Sequence, residues 1–274
     1  MKRELKKILY RVASSTLSLL FAFIVTQLLL ELMQYVIATA MGYHATFTYN
    51  EVTVPMDWHL WNRIRVFVLD FIPPTTCLFV GLYLWMLMSK QEEPWGKLQL
   101  LSYWLMMCFI NIFLSNLLFA PIGMADPNSV FYETFARLLP WLGIPTLLAT
   151  PLAVIAILAT IGLGYFLSVE TVKLSYSQRL VSNNSGKNRI IIEFYMAPVL
   201  LCVWPLLLLT KGLVAMRIGV ILFNLLLFPI GMFLRNSVEP YQVKFKKMGV
   251  GRSFPLLELT LATAAWVVIY LFYR

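Results

Sequence analysis

Long apolar stretches alternate with short polar joints along almost the whole chain. A helix needs about 20 apolar residues to cross the ~30 Å hydrocarbon core of a bilayer, and seven stretches come near or exceed that length. They are residues 8–41, 64–88, 98–119, 142–167, 190–209, 214–234 and 256–273. The pattern predicts an all-α polytopic membrane protein that forms one transmembrane domain over residues 1–274. It has about seven transmembrane helices, or six if one segment is re-entrant.

Composition supports the same class of protein. Of the 274 residues, 60% are hydrophobic and only 13% are charged, whereas soluble domains usually carry about 25% charged residues. The joints between the apolar stretches are too short for an extramembrane domain of ~50 residues. A lone soluble fold is therefore excluded.

The first apolar stretch and the segment after it have unusual features. Residues 8–41 would form a helix of roughly 51 Å at 1.5 Å per residue, so this helix must tilt, project from the bilayer or break. Residues 44–54 then alternate β-branched and aromatic side chains, which is typical of a strand. The sequence predicts a small extended segment, either a strand or a short hairpin, just beyond helix 1.

Basic residues are distributed unevenly between the joints. With the N-terminus inside, 16 of the 22 Lys and Arg residues fall on one side of the membrane. The six on the other side are Arg63, Arg65, Arg137, Lys211, Arg217 and Arg274. Because basic residues accumulate in cytoplasmic loops, this split predicts a multi-pass protein of the cell membrane, such as a bacterial inner membrane, with a cytoplasmic N-terminus. Seven spans would put the C-terminus outside.

Acids at membrane depth are costly and therefore mark candidate functional positions. Under the predicted topology Glu31 and Asp70 lie at the outer level of the membrane, and Asp126 and Arg217 lie at a similar level. With Gln34 they are expected to form one polar cluster, in which Arg217 offsets part of the carboxylate charge. The alternative is that each is an isolated, locally hydrogen-bonded group. Two further acids, Glu193 and Glu258, are expected near the inner starts of the fifth and seventh helices.

Other polar residues of the spans are assigned structural roles. Pro73 and Pro74 follow Asp70 and remove backbone donors from helix 2, and Asn111 and Asn116 in helix 3 are expected to form hydrogen bonds between helices. The three cysteines show no metal-binding or disulfide spacing. No catalytic or nucleotide-binding motif is present, so no cofactor is predicted. The basic residues are explained by topology, so nucleic acid is not expected as a partner.

Residues 30–42 of helix 1 read L-E-L-M-Q-Y-V-I-A-T-A-M-G and run into the extended segment 43–54, and residues 116–127 read N-L-L-F-A-P-I-G-M-A-D-P. These two segments resemble the site-2 protease family of intramembrane zinc metalloproteases. The first is similar to the family helix that carries H-E-x-x-H, then small residues and a glycine, and the second is similar to the family's Asn/Pro-rich segment, whose aspartate supplies the third zinc ligand. A weaker similarity covers residues 70–75. The resemblance spans roughly residues 29–145.

The resemblance implies a site in which the defining histidines are missing. Glu31 occupies the position of the family's glutamate, while Leu30 and Gln34 stand where the two histidines belong, and Asp126 matches the third ligand. A catalytic zinc normally has three protein ligands, so no metal or catalytic residue is predicted. Asp126 and His44 are the weak candidates for metal ligands.

Three functions remain open from the sequence. The first is a catalytically inactive, site-2-protease-like membrane protein that acts as a binding or scaffold subunit for another membrane component, with the lipid bilayer and a second membrane protein as partners. The second is a transporter or channel subunit with a path of intramembrane carboxylates. The third is a metalloprotease with non-standard ligands.

Overall fold

The protein is described from a computed structural model. The described residues are 2–48, 51–54, 61–90, 97–127, 129, 131–174, 183–209, 219, 221–235 and 255–272. Within these ranges, five helices are long and apolar enough to cross a membrane, and two shorter apolar helices cover Ile221–Leu234 and Leu256–Val268. The prediction of an all-α membrane protein is confirmed at this level. The count of seven spans stays a prediction.

The helices follow the predicted apolar stretches closely. In chain order they are α1 (Lys2–Ala40), α2 (Arg63–Lys90), α3 (Lys97–Ala125), α4 (Phe135–Trp141), α5 (Thr146–Lys173), α6 (Asn184–Ile191), α7 (Ala197–Leu209), α8 (Phe228–Leu234) and α9 (Leu256–Phe272). A π-helical turn over Ile192–Met196 joins α6 to α7. The short helix α4, which lies between two long helices, was not among the predicted elements.

Helix α1 does not break. It has 39 residues, which is about 58 Å of helix at 1.5 Å per residue. Of the three ways in which such a long helix could fit the bilayer, tilting and projection from the bilayer therefore remain. Helix α2 likewise continues through Pro73 and Pro74. Since a proline has no backbone N–H, the carbonyl groups four residues earlier, those of Leu69 and Asp70, lose their helical donors.

The predicted extended segment is a two-stranded antiparallel hairpin. Strand β1 (Thr46–Thr48) pairs with β2 (Glu51–Thr53), with Phe47 opposite Val52. Both strands contact helix α1, and the ring of Phe47 meets Tyr35 of that helix edge-on at 5.7 Å between centroids. The hairpin therefore folds back on the C-terminal part of α1.

Helices α1, α2 and α5 pack around α3. The short helix α8 packs closely against α5. The close approach of α5 and α8 depends on two glycines. A Cβ atom on Gly164 would collide with the backbone of Phe228, and one on Gly231 would collide with the backbone of Ile161. Small residues at such positions let two helix backbones approach within membranes.

Candidate functional site

Asp70 is held by a cation from a different part of the chain. The side chain of Arg137 donates from Nε to Asp70 Oδ2 at 2.7 Å and from Nη2 to Asp70 Oδ1 at 2.5 Å. Asp70 is fully buried, and 14% of the Arg137 side chain is exposed. Parallel N–H bonds from one guanidinium to one carboxylate form a strong and geometrically specific type of ion pair. This pair joins the short helix α4 to the membrane-length helix α2.

Aromatic rings enclose this ion pair. The Arg137 guanidinium carbon lies 5.7 Å from the centroid of the Trp61 ring, and Trp61 stacks on Tyr43 with 5.1 Å between centroids and an interplanar angle of 16°. We call Tyr43, Trp61, Asp70 and Arg137 the distal cluster, because Tyr43 follows the C-terminal end of α1. Burial by itself lowers the pKa of Arg137, but the charge of Asp70 and its hydrogen bonds outweigh this effect, so the pKa of Arg137 is raised.

A strained residue positions helix α4. Thr134, the residue before α4, has a φ of 45°, a conformation that is unusual for a β-branched residue. Its hydroxyl donates to Asn116 Oδ1 of α3 at 2.8 Å, and its side chain is fully buried. The contact with α3 thus helps hold α4, and with it Arg137, in position over Asp70.

Glu31 belongs to a buried polar stripe along one face of α1. Its Oε1 accepts a hydrogen bond of 2.8 Å from Gln27 Nε2, one turn earlier, and Gln34 lies one turn later on the same face. Gln27, Glu31 and Gln34 are all buried. Leu30, which precedes the acid, packs in an apolar cluster with Phe109 and Ile112 of α3.

The structure does not bring the predicted cluster together around one point. Asp126 is exposed and comes directly after the end of α3, about 20 Å along the helix axis beyond Ile112 at 1.5 Å per residue. Because Leu30 packs at the level of Ile112, Glu31 and Asp126 lie at different depths. Arg217 lies outside the described residues. The cation that pairs with Asp70 is Arg137, which was predicted only as one of the basic residues on the outer side.

The residues of the family resemblance do not fit a bound zinc ion. A zinc ligand must lie about 2 Å from the metal, but Leu30, at one of the two histidine positions, packs at the level of Ile112, about 20 Å along the helix axis from Asp126. His44 is exposed and follows the end of α1, and neither Leu30 nor the Gln34 amide is a usual zinc ligand. Within the described ranges, no three His, Cys, Asp or Glu side chains come together as a metal ion would require.

A second polar group surrounds the N-terminal part of α1. Glu193 in the π-helical turn accepts from Arg11 Nε at 3.0 Å and from Arg189 Nε at 2.7 Å. Ser14 donates to Glu258 Oε1 of α9 at 2.5 Å. We call Arg11, Ser14, Arg189, Glu193 and Glu258 the proximal cluster. The prediction placed the two glutamates near the starts of their helices, and the structure shows that both contact α1.

The π-helical turn also carries apolar and aromatic contacts next to the proximal cluster. Ser15 donates to the carbonyl of Phe194 at 2.7 Å and accepts from Trp104 Nε1 at 2.8 Å. The rings of Trp104 and Tyr195 lie 5.0 Å apart. Ser15 of α1 therefore links Trp104 of α3 to the backbone of a turn whose widened geometry is often associated with functional positions.

The predicted hydrogen bonding by the helix-3 asparagines is confirmed. Asn111 Nδ2 donates to the carbonyl of Ile221 at 2.9 Å, and Asn224 Nδ2 donates to Asn111 Oδ1 at 2.8 Å. Asn116 accepts from Thr134, as described above.

The sequence analysis did not single out Arg137 as the partner of Asp70. The local signal for it was a lone arginine within an otherwise apolar stretch.

No protein-family model, no curated protein and no solved structure shows significant similarity to this chain.

Proposed function

We propose that this chain is a catalytically inactive, membrane-embedded binding or scaffold subunit for another membrane component. One observation carries the proposal: three of the five buried acids among the described residues join parts of this chain that are distant in sequence. Asp70 binds Arg137, Glu193 binds Arg11 and Arg189, and Glu258 binds Ser14. Contacts of this kind stabilise a fixed arrangement of helices.

The same observation disfavours a path for protons or ions. Acids that serve transport commonly face a water-filled cavity or a relay of other ionisable groups. Asp70 instead sits in a two-bond pair with a guanidinium, and Glu193 accepts from two guanidinium groups. Each would have to lose strong internal bonds before it could take up a transported ion.

Hydrolysis is disfavoured because the positions that match the family's zinc ligands are far apart. A metalloprotease needs a metal held by three protein groups with one open position, and the ligand positions Leu30 and Asp126 lie at different depths along the bundle. The similarity of residues 30–54 and 116–127 to the site-2 proteases stays a prediction, and the scaffold role does not depend on it.

The transporter alternative is favoured by one feature, the buried stripe of Gln27, Glu31 and Gln34 on α1. Reconstitution into proteoliposomes separates the two functions. A transporter would show ion or proton flux above that of protein-free liposomes, and Glu31→Gln would abolish the flux. A scaffold gives no flux above that of the empty liposomes with either protein.

Partner binding is tested by affinity purification from native membranes in a mild detergent. We expect one membrane protein to be recovered in near-stoichiometric amount with the wild type and equally with Glu31→Gln. Recovery of the chain without any stoichiometric membrane partner would contradict the scaffold role. Metal analysis of the same preparation tests the inactive assignment, because one zinc per chain would overturn it.

A further inference from the structure

The apolar helix over Ile221–Leu234 is interrupted near its middle. Residues 226 and 227 form a turn between two α-helical parts. The Leu226 N–H donates to the carbonyl of Phe223 at 2.9 Å, and the Leu227 N–H donates to the carbonyl of Asn224 at 3.1 Å. Both bonds reach back three residues instead of four, which is the tighter 3₁₀ geometry, and such a stretch within a helix often marks a hinge.

Pro229, the second residue of α8, explains the interruption. A proline has no backbone N–H, and its ring clashes with the carbonyl four residues earlier. In this helix that carbonyl belongs to Leu225, which is fully buried. The Leu225 carbonyl therefore lacks its helical donor, and a buried carbonyl costs free energy unless another group donates to it.

Tyr195 supplies the missing donor from a neighbouring segment. Its hydroxyl donates to the carbonyl of Leu225 at 3.0 Å, and the tyrosine is fully buried. Tyr195 belongs to the π-helical turn over Ile192–Met196. A single hydroxyl thus joins a widened turn in one apolar segment to a tightened turn in the next.

The two parts of the interrupted helix are attached to different neighbours. Before the interruption, Asn224 donates to Asn111 of α3, and Asn111 donates to the carbonyl of Ile221. After it, α8 packs on α5, where a Cβ atom on Gly231 would collide with the α5 backbone. Any change of angle between these two attachments has to be accommodated at residues 225–228.

We propose that residues 225–228 form a hinge in the bundle and that the Tyr195 hydroxyl holds this hinge closed. Hinges are short stretches in which a few residues absorb a change of backbone angles. Opening breaks the bond from Tyr195 and leaves the Leu225 carbonyl without a donor, so the closed arrangement dominates while the hydroxyl is present. Tyr195 is a positioning residue, because it acts through that carbonyl. This inference goes beyond the scaffold role and does not depend on it.

The first test asks whether the Tyr195 hydroxyl and an amide at position 229 replace each other. The full-length wild type, Tyr195→Phe, Pro229→Ala and the double variant are unfolded thermally in one detergent. Tyr195→Phe should lower the melting temperature by about 2–6 °C, since it leaves a buried carbonyl unsatisfied. In the Pro229→Ala background the same substitution should cost much less, because residue 229 then has an N–H that can donate to Leu225.

Tyr103→Phe is the matched control for this cycle. Tyr103 is also fully buried, but its hydroxyl bonds the Thr171 hydroxyl at 2.8 Å and not the interrupted helix. Its loss should lower the melting temperature by the same amount with Pro229 and with Pro229→Ala. A smaller loss that is confined to Tyr195→Phe is therefore specific to the hinge.

Hydrogen exchange provides a local measurement at the hinge. We expect the amides of residues 226–228 to exchange about tenfold faster in Tyr195→Phe than in the wild type, because the closed arrangement loses one hydrogen bond. Pro229→Ala should slow the same amides severalfold. This second variant tests the hinge even if Tyr195→Phe does not fold.

Two results would overturn the proposal. One is an equal loss from Tyr195→Phe in both backgrounds, which would show that the hydroxyl does not replace the amide missing at Pro229. The other is unchanged exchange at residues 226–228 in Pro229→Ala. Neither measurement involves a partner, so absence of a membrane partner in affinity purification would reject the scaffold role alone.

Discussion

Arg137 and Asp70 form a two-bond ion pair across 67 positions of sequence. The pair fastens the short helix α4 to α2 where Pro74 has already removed the backbone donor for the Asp70 carbonyl. Burying a carboxylate is costly unless it is paired and hydrogen-bonded. The Asp70 side chain meets that condition only when α4 is docked. The carboxylate of Asp70 therefore gains its ion pair and hydrogen bonds at the same step at which α4 docks on α2.

Removal of one partner should therefore be much more costly than removal of both. We expect Arg137→Met to lower the free energy of unfolding by about 3–5 kcal/mol, since it leaves an uncompensated buried charge. In the double variant with Asp70→Leu, much of that loss should be recovered. Thermal unfolding of the four proteins in one detergent measures the coupling, and additive losses would show that the pair is not coupled.

The two glycines between α5 and α8 offer a test with an internal control. Gly164→Ala places a Cβ against the backbone of Phe228, and we expect a loss of about 1–3 kcal/mol from overpacking. Gly162 lies two residues away in the same helix, and a Cβ there meets nothing within 4 Å. Gly162→Ala should be neutral or stabilise by up to about 1 kcal/mol, as alanine favours helix. Similar melting temperatures for the two variants would contradict the close approach of α5 and α8.

Thr134 should tolerate glycine better than alanine. Both substitutions lose the hydrogen bond to Asn116, which is worth about 0.5–1.5 kcal/mol. Only glycine also relieves the positive φ of 45°, for which strain of roughly 1–3 kcal/mol is typical. The glycine variant should therefore melt at a higher temperature than the alanine variant. The opposite order would show that the backbone at residue 134 is unstrained.

The two arginines on Glu193 should contribute unequally. The Arg11 side chain is 3% exposed and the Arg189 side chain is 45% exposed, although both donate to the same carboxylate. Exposed ion pairs contribute about 0–1 kcal/mol, whereas loss of a buried partner costs more. We expect Arg11→Gln to destabilise clearly more than Arg189→Gln in chemical unfolding. Raised salt should weaken only the contribution of Arg189, because buried pairs are screened less.

Much of the fold could be predicted because it depends on local pattern. The apolar stretches at 64–88 and 98–119 became α2 and α3 with ends shifted by a few residues, since a chain in lipid must satisfy its backbone hydrogen bonds internally and the helix does so within each segment. The alternation over residues 44–54 likewise predicted the hairpin of β1 and β2. The short helix α4 was missed because its apolar residues are too few to be distinguished from a joint.

The sequence by itself determined that this is a helical membrane protein and that Glu31, Asp70, Glu193 and Glu258 lie within apolar segments, because hydropathy and charge are properties of each segment alone. Only the tertiary structure decided the partners. Arg137, rather than a residue chosen by depth, binds Asp70, and Glu193 meets Arg11 across 182 positions of sequence. Depth along a helix follows from counting residues, but contact also requires the rotation and packing of both helices, which depend on the whole bundle.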